Sequence, residues 1–151
     1  PISLWLNALV GGPLLAAITL YAAQWRALAG RFGLLLMTVP FIALAANMVA
    51  YIVQGRLLNG VANSVVAAAD LVPHYRTMLL AFALMCFAGC VLAALTMHAV
   101  SRETVAHGGG ELAFSKRVLV RLLVACLLVF AGIFVMRFAF YMMHLTVGLA
   151  V

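Results

Sequence analysis

Four long apolar segments dominate the sequence and restrict the kind of fold that the chain can adopt. They cover approximately residues 2–23, 32–53, 77–97 and 118–147. The hydrocarbon core of a bilayer is crossed by about 20 helical residues, so each segment is long enough to span it. The segments are continuously apolar, whereas strands of a membrane barrel alternate with a period of two. We therefore predict an all-α fold, an integral membrane four-helix bundle that forms one transmembrane domain.

The composition excludes a water-soluble domain. Of the 151 residues, 68% are hydrophobic and 8% are charged, against about 45–50% apolar and about 25% charged residues in a typical soluble domain. A net charge of +6 would suggest nucleic acid as the partner of a soluble protein. Here the cations lie in short connections between apolar segments, where they set membrane topology. We therefore expect a lipid bilayer around the chain and no nucleic-acid partner.

The distribution of the cations predicts which connections share a side of the membrane. The first and third connections, together with the start of the fourth segment, carry six Lys or Arg residues, and the second connection carries two. Because cytoplasmic connections are enriched in Lys and Arg, we place the first and third connections in the cytoplasm. The second connection and both termini of this segment then lie outside.

The second connection itself shows a helical pattern. Polar residues recur at spacings of three and four over about residues 56–72, with apolar residues between them. This pattern predicts an amphipathic segment on the outer membrane surface. A cap that docks on the bundle without any role in ligand binding is the alternative.

Small residues indicate where the helices pack closely. Gly11 and Gly12 interrupt the first segment, and Gly89 and Ala93 are spaced four residues apart in the third. Small residues let the backbone of a neighbouring helix approach, so we expect helix contacts at these positions.

Few polar side chains lie at membrane depth, and any chemistry has to use them. Asn47 lies inside the second segment and needs a hydrogen-bond partner, either on a neighbouring helix or on a ligand. The sequence contains no phosphate-binding glycine loop, zinc-protease motif or nucleophile elbow. The cysteines at positions 86, 90 and 126 match no disulfide framework and no zinc spacing. We therefore expect no metal site and no self-contained active site.

The fourth segment carries the most specific arrangement of polar and aromatic residues. Spacings of four and three place on one helical face Phe130, Phe134, Arg137, Tyr141, His144 and Gly148. Such a face suits a quinone-like ring, because the arginine can donate to a carbonyl, the aromatic rings can stack and the imidazole can accept a proton near neutral pH. The alternative is anchoring, with the arginine snorkelling to the surface and the tyrosine and histidine lying at the membrane interface.

Two further polar residues belong to the same side of the membrane. Asp70, the only acidic residue expected outside, can pair with an arginine, approach a ligand or simply belong to a polar helix face. His74 lies at the junction between the second connection and the third segment. A haem would need two histidines that face each other from different helices, but His98 and His144 end their helices on opposite sides. We therefore expect no haem in this chain.

Four ordered stretches of the sequence resemble those of a known family. They are GGPLL at Gly11–Leu15, IVQG at Ile52–Gly55, AAADLVPHY at Ala67–Tyr75 and RFAFYMMHLTVGLAV at Arg137–Val151. Together they resemble the membrane anchor subunit of the dimethyl sulfoxide reductase family, although the insert RETVAHGGGE in the third connection departs from its pattern. Members have eight transmembrane helices, and this chain resembles the C-terminal four, which makes it a candidate half of an eight-helix anchor.

The resemblance implies a function in anaerobic respiration. An anchor of this kind serves a molybdenum reductase in the bacterial inner membrane, where it binds and oxidises menaquinol on the outer side. It passes the electrons to an iron–sulfur subunit and then to a molybdopterin catalytic subunit, both on the outer face. No position here matches the residues associated with the family's quinol site. The candidates for binding quinol therefore remain Arg137, Tyr141, His144, Phe134, His74 and Asp70.

Two alternatives stay open at this point. The chain could be half of a transporter bundle, if its helices are discontinuous around Pro13 and Pro40. It could also be a purely structural anchor with no quinol site in this half. In that case the polar face of the fourth segment should lie against lipid or against a partner subunit.

Overall fold

The computed structural model describes residues 2–25, 28, 31–57, 74–106 and 115–147, and four α-helices contain nearly all of them. The helices are α1 (Ile2–Ala22), α2 (Arg31–Leu57), α3 (Tyr75–Ala106) and α4 (Lys116–Val147). Beyond Leu57, the predicted amphipathic segment lies outside the described residues.

The four helices form a ring in which each packs against the next and α4 closes onto α1. Neighbouring helices are antiparallel, so the bundle has two chemically distinct ends. One end, where α1 and α3 begin, is called the tyrosine end because Tyr51 and Tyr75 meet there. The Tyr75 hydroxyl donates to the Tyr51 carbonyl oxygen at 2.8 Å. At the basic end, where α2 and α4 begin, the Ser115 N–H donates to the Tyr21 hydroxyl at 2.9 Å. Five cations lie near the basic end: Arg31, Arg102, Lys116, Arg117 and Arg121.

The closest helix pair is α3 with α4, and glycines allow this approach. A Cβ atom placed on Gly89 would lie 2.6 Å from the backbone oxygen of Ala125. From the other side, a Cβ atom on Gly132 would lie 2.8 Å from the Cys86 Sγ and 3.2 Å from the Phe82 carbonyl oxygen. The predicted close packing is therefore confirmed at Gly89. The prediction is wrong at Gly12, because a Cβ placed there would meet nothing within 4 Å. In lipid, where apolar surfaces gain little by burial, such backbone proximity is a main source of helix association.

Between its two ends, the outside of the bundle is apolar. Between 28% and 33% of the most apolar stretch of each helix is buried inside the bundle, and all four helices are long and apolar enough to cross a membrane. Large exposed side chains occur on every helix, among them Trp5, Ile42, Leu84 and Leu127. Such a large apolar surface is unfavourable in water but favourable in the hydrocarbon of a bilayer. The chain is therefore a multi-pass membrane protein with an all-α bundle, as the sequence predicted.

The third helix extends further than hydropathy indicates. The apolar run of the third segment ends near residue 97, but α3 continues to Ala106 through Ser101, Arg102 and Glu103. Hydropathy detects the part of a helix in the hydrocarbon and not the turns that project beyond it.

Pro13 and Pro40 lie inside α1 and α2, which are continuous helices. The transporter alternative thereby loses the discontinuous helices that motivated it.

Candidate functional site

Three buried polar side chains form a hydrogen-bonded cluster between α1 and α2, toward the tyrosine end. The Asn47 amide nitrogen donates to the Asn7 side-chain oxygen. The Asn7 amide nitrogen donates in turn to the Tyr51 hydroxyl at 3.2 Å. Asn47 is completely buried, and Asn7 and Tyr51 are nearly so. The predicted need of Asn47 for a partner is therefore met by a neighbouring helix, since Asn7 lies on α1.

Helical spacing explains why these residues meet. Asn47 and Tyr51 are four residues apart on α2, so both side chains project from one face. The Tyr51 ring is held by Phe82 of α3, with ring centroids 5.2 Å apart in an edge-to-face arrangement. Tyr75, at the start of α3, adds its hydrogen bond to the Tyr51 carbonyl oxygen. The cluster thus joins three of the four helices.

One acceptor in this cluster lacks a donor. The Asn47 side-chain oxygen is buried, and no group in the described part of the chain donates to it. A buried amide oxygen without a donor is costly, by about 1–3 kcal/mol, and a water molecule or ligand hydroxyl that reached it would lower that cost. The cluster therefore combines a structural role with an available hydrogen-bonding position.

The aromatic and polar face of α4 divides between the bundle and the membrane. Phe130 lies against α1, with its ring carbon Cζ 3.1 Å from a Cβ placed on Gly11. Arg137, which is partly buried, lies close enough to Tyr51 for its charge to act on the phenol. Phe134 and Tyr141 point outward, with 68% and 57% of their surfaces exposed. The structure thus places Arg137 within electrostatic range of the cluster and leaves Phe134 and Tyr141 on the outside of α4.

The remaining predicted residues lie at or beyond the edge of the described region. His74 is exposed in the turn before α3, where its carbonyl oxygen accepts from the Met78 N–H at 2.9 Å. His144 belongs to α4, but its side chain lies outside the described part of the structure. Asp70 lies outside the described residues altogether. His74 therefore shares the tyrosine end with Arg137, and the structure does not test the other two positions.

Sequence reasoning missed Asn7, Tyr51 and Tyr75. Asn7 carried a usable signal, because an asparagine within an apolar span needs a partner as Asn47 does. The two tyrosines carried none, since tyrosine near a helix end is equally typical of a membrane interface. Only the packing of α1, α2 and α3 distinguishes a buried phenol from an interfacial one.

An apolar groove lies between α2 and α3, away from α4. Its volume is about 380 Å³, and its lining is Phe41, Leu44, Ala45, Met48, Ala83, Leu84 and Phe87. Among the described residues, no polar side chain lines it to orient a headgroup, whereas ligand sites normally contain a few such groups. The groove is therefore a weaker candidate for a specific site than the cluster around Asn47 and Arg137.

Removal of the Tyr75 hydroxyl should loosen the tyrosine end. We expect Tyr75→Phe to lower the free energy of unfolding by about 0.5–1.5 kcal/mol, the usual net value of one hydrogen bond. Tyr141→Phe is the matched control, because its hydroxyl is on an exposed side chain, and should change stability by less than about 0.5 kcal/mol. Thermal unfolding in detergent measures both, and an equal loss in the two variants would contradict the role of the Tyr75 bond.

Comparison with known proteins identifies a family. A family model described as the DMSO reductase anchor subunit (DmsC) matches residues 1–143. No curated protein and no solved structure matches the chain.

Proposed function

The chain belongs to the DMSO reductase anchor subunit family, and from that premise we propose that it binds and oxidises menaquinol at the tyrosine end and passes the electrons to the iron–sulfur subunit. Family membership makes it a membrane anchor subunit that associates with the catalytic and iron–sulfur subunits of a DMSO reductase. Quinol binding and electron transfer are the further steps that we propose.

The observation that supports quinol binding most directly is the polar cluster at membrane depth, which lies within electrostatic range of the Arg137 cation. Oxidation of a quinol removes two electrons and two protons. Loss of the first proton leaves an anionic oxygen, which the guanidinium of Arg137 would stabilise by charge and hydrogen bonding. The Asn47 oxygen, which lacks a donor, would accept from the second hydroxyl. A quinol ring placed between them would therefore have one partner for each oxygen.

The rest of the α4 face would complete this site. Phe134 and Tyr141 lie one helical turn on either side of Arg137 and are exposed, so a ring that enters from the membrane would meet aromatic surface first. His144 is two turns beyond Arg137 in sequence and would accept the released proton. His74, which is exposed at the tyrosine end, would lie beside the proton's exit, and Asp70 stays a candidate on the basis of the sequence.

The topology that we propose follows from the charges of the two ends. The basic end carries the larger number of cations, so we place it in the cytoplasm of a bacterium and the tyrosine end on the outer side of the inner membrane. Protons from quinol would then leave on the outer side. The iron–sulfur subunit and the molybdopterin catalytic subunit would dock at that same end, where the path for electrons is shortest.

Substitution of Arg137 tests the site. In the assembled complex, we expect Arg137→Gln to slow oxidation of a quinol analogue by at least about tenfold, because a charge that stabilises the developing anion is lost. His144→Gln should also slow turnover. The control is Arg76→Gln, an exposed cation near the same end. Steady-state turnover and binding of a quinone-site inhibitor are the measurements.

The outcomes separate the site from the anchor role. If turnover and inhibitor binding are unchanged in both the Arg137 and the His144 variants, the site assignment is wrong. The complex would still assemble on the membrane in that case, as it would with a purely structural anchor. Loss of assembled complex in Arg137→Gln but not in Arg76→Gln would also contradict the proposal, because Arg137 would then act in folding or docking.

A further inference from the structure

A shallow depression at the basic end is bordered by three cations. Lys116, Arg117, Val120 and Arg121 line a volume of about 350 Å³ at the start of α4. The surface inside it is almost entirely apolar, because the aliphatic stems of the long side chains form the walls. The charged groups can then reach the rim, where the membrane meets water.

The charges at this depression repel one another. Arg117 and Arg121 are four residues apart on one helix face, a spacing at which like charges destabilise a helix. The first turn of α4 contains no acidic residue. The whole chain has nine Lys or Arg residues against three Asp or Glu residues, so most of its cations cannot pair with a carboxylate of the same chain. An anion held between these side chains would remove the repulsion.

The surface next to the depression identifies the kind of anion. Val120, Leu123 and Leu127 are exposed and follow one another along α4 at spacings of three and four. They form an apolar track that runs from the depression toward the middle of the bilayer. A soluble phosphate would make no use of this track, whereas an acyl chain attached to the phosphate would lie along it.

We infer that the depression binds the phosphate group of an anionic phospholipid, with one acyl chain lying on the apolar track of α4. The lipid would neutralise Lys116, Arg117 and Arg121 and seal the start of α4 against the membrane. This role is independent of quinol oxidation, because the depression is at the opposite end of the bundle from Arg137. Phosphatidylglycerol is a suitable probe, and phosphatidylcholine of the same chain length is the neutral comparison.

The test is lipid binding to the purified complex, measured by native mass spectrometry and by the shift in unfolding temperature on addition of lipid. We expect phosphatidylglycerol to bind and to raise the unfolding temperature more than phosphatidylcholine does. One cation near a lipid surface contributes roughly a fivefold change in affinity. The double variant Arg117→Gln/Arg121→Gln should therefore weaken phosphatidylglycerol binding by roughly 25-fold. Arg117→Lys/Arg121→Lys should retain most of the binding.

A matched control removes two charges from the same end of the bundle. Arg31 and Arg102 are exposed cations that do not line the depression. The variant Arg31→Gln/Arg102→Gln should therefore bind phosphatidylglycerol nearly as well as the wild type does. Equal losses of phosphatidylglycerol binding in the two double variants would overturn the inference, because the lipid would then respond to the overall charge of this end and not to the depression. Equal binding of the two lipids would also overturn it. An equal shift with inorganic phosphate alone would show a site for free phosphate and would contradict the lipid assignment. Turnover of quinol should remain measurable in every variant.

Discussion

Replacing Gly89 with alanine should destabilise the bundle by about 1–3 kcal/mol, the usual cost of inserting a methyl group into a closely packed interior. The new Cβ would lie 2.6 Å from the Ala125 backbone oxygen and 2.7 Å from the Val129 Cγ2. A backbone oxygen cannot rotate away as a side chain can, so α3 and α4 would have to separate. The separation would also weaken the contacts of Cys86 and Val129 across the same interface.

Gly12 of α1 offers the control. A Cβ placed on Gly12 would meet nothing within 4 Å, so Gly12→Ala should be neutral or should stabilise its helix by up to about 1 kcal/mol through helix propensity. Unfolding by heat or by a denaturing detergent measures the two variants under the same conditions. If Gly89→Ala is as stable as Gly12→Ala, then the contact between α3 and α4 is not as close as described.

Replacing Asn7 with leucine should be costly, and replacing Asn7 and Asn47 together should cost less. The single change leaves the Asn47 amide nitrogen and the Tyr51 hydroxyl without their partner on α1. A buried polar group without a partner costs about 1–3 kcal/mol, whereas replacing both partners by apolar groups is often nearly neutral. The expected result is therefore a positive coupling between the two positions in a double-mutant cycle.

The same double variant distinguishes packing from function. If Asn7→Leu/Asn47→Leu unfolds near the wild-type temperature but oxidises a quinol analogue more slowly, the cluster serves the reaction as we propose. Wild-type turnover in a stable double variant would remove Asn47 from the proposed site. Additive losses of stability from the two single changes would contradict the hydrogen bond between the asparagines. Thr38→Val in α2 is a control, because its hydroxyl bonds only within its own helix, to the Leu35 carbonyl oxygen at 2.8 Å.

Part of the candidate site could be predicted from the sequence because polar residues are rare in apolar segments. Arg137 and Asn47 were recognisable for this reason. The structure places Asn47 in the buried cluster and Arg137 within electrostatic range of Tyr51. The outward positions of Phe134 and Tyr141 could not be predicted. Spacings of three and four place residues on one side of a helix, but that side is wide enough to contain both bundle-facing and membrane-facing positions. Within that arc, Arg137 is partly buried, while Phe134 and Tyr141 are exposed on the outside of the bundle.

The sequence by itself determined that four helices of this protein span a bilayer, because apolar segments of about 20 residues have no other stable environment. It also determined which end of the bundle is basic, since the cations lie at the ends of alternate helices. Only the tertiary structure decided which polar groups meet. Hydropathy is the same on every side of a membrane helix, so nothing in it orients Asn7 toward Asn47 or brings Arg137 near Tyr51. The asparagine contact depends on how α1 packs against α2. The close approach of α3 and α4 depends on small residues, of which Gly89 against Ala125 is the clearest.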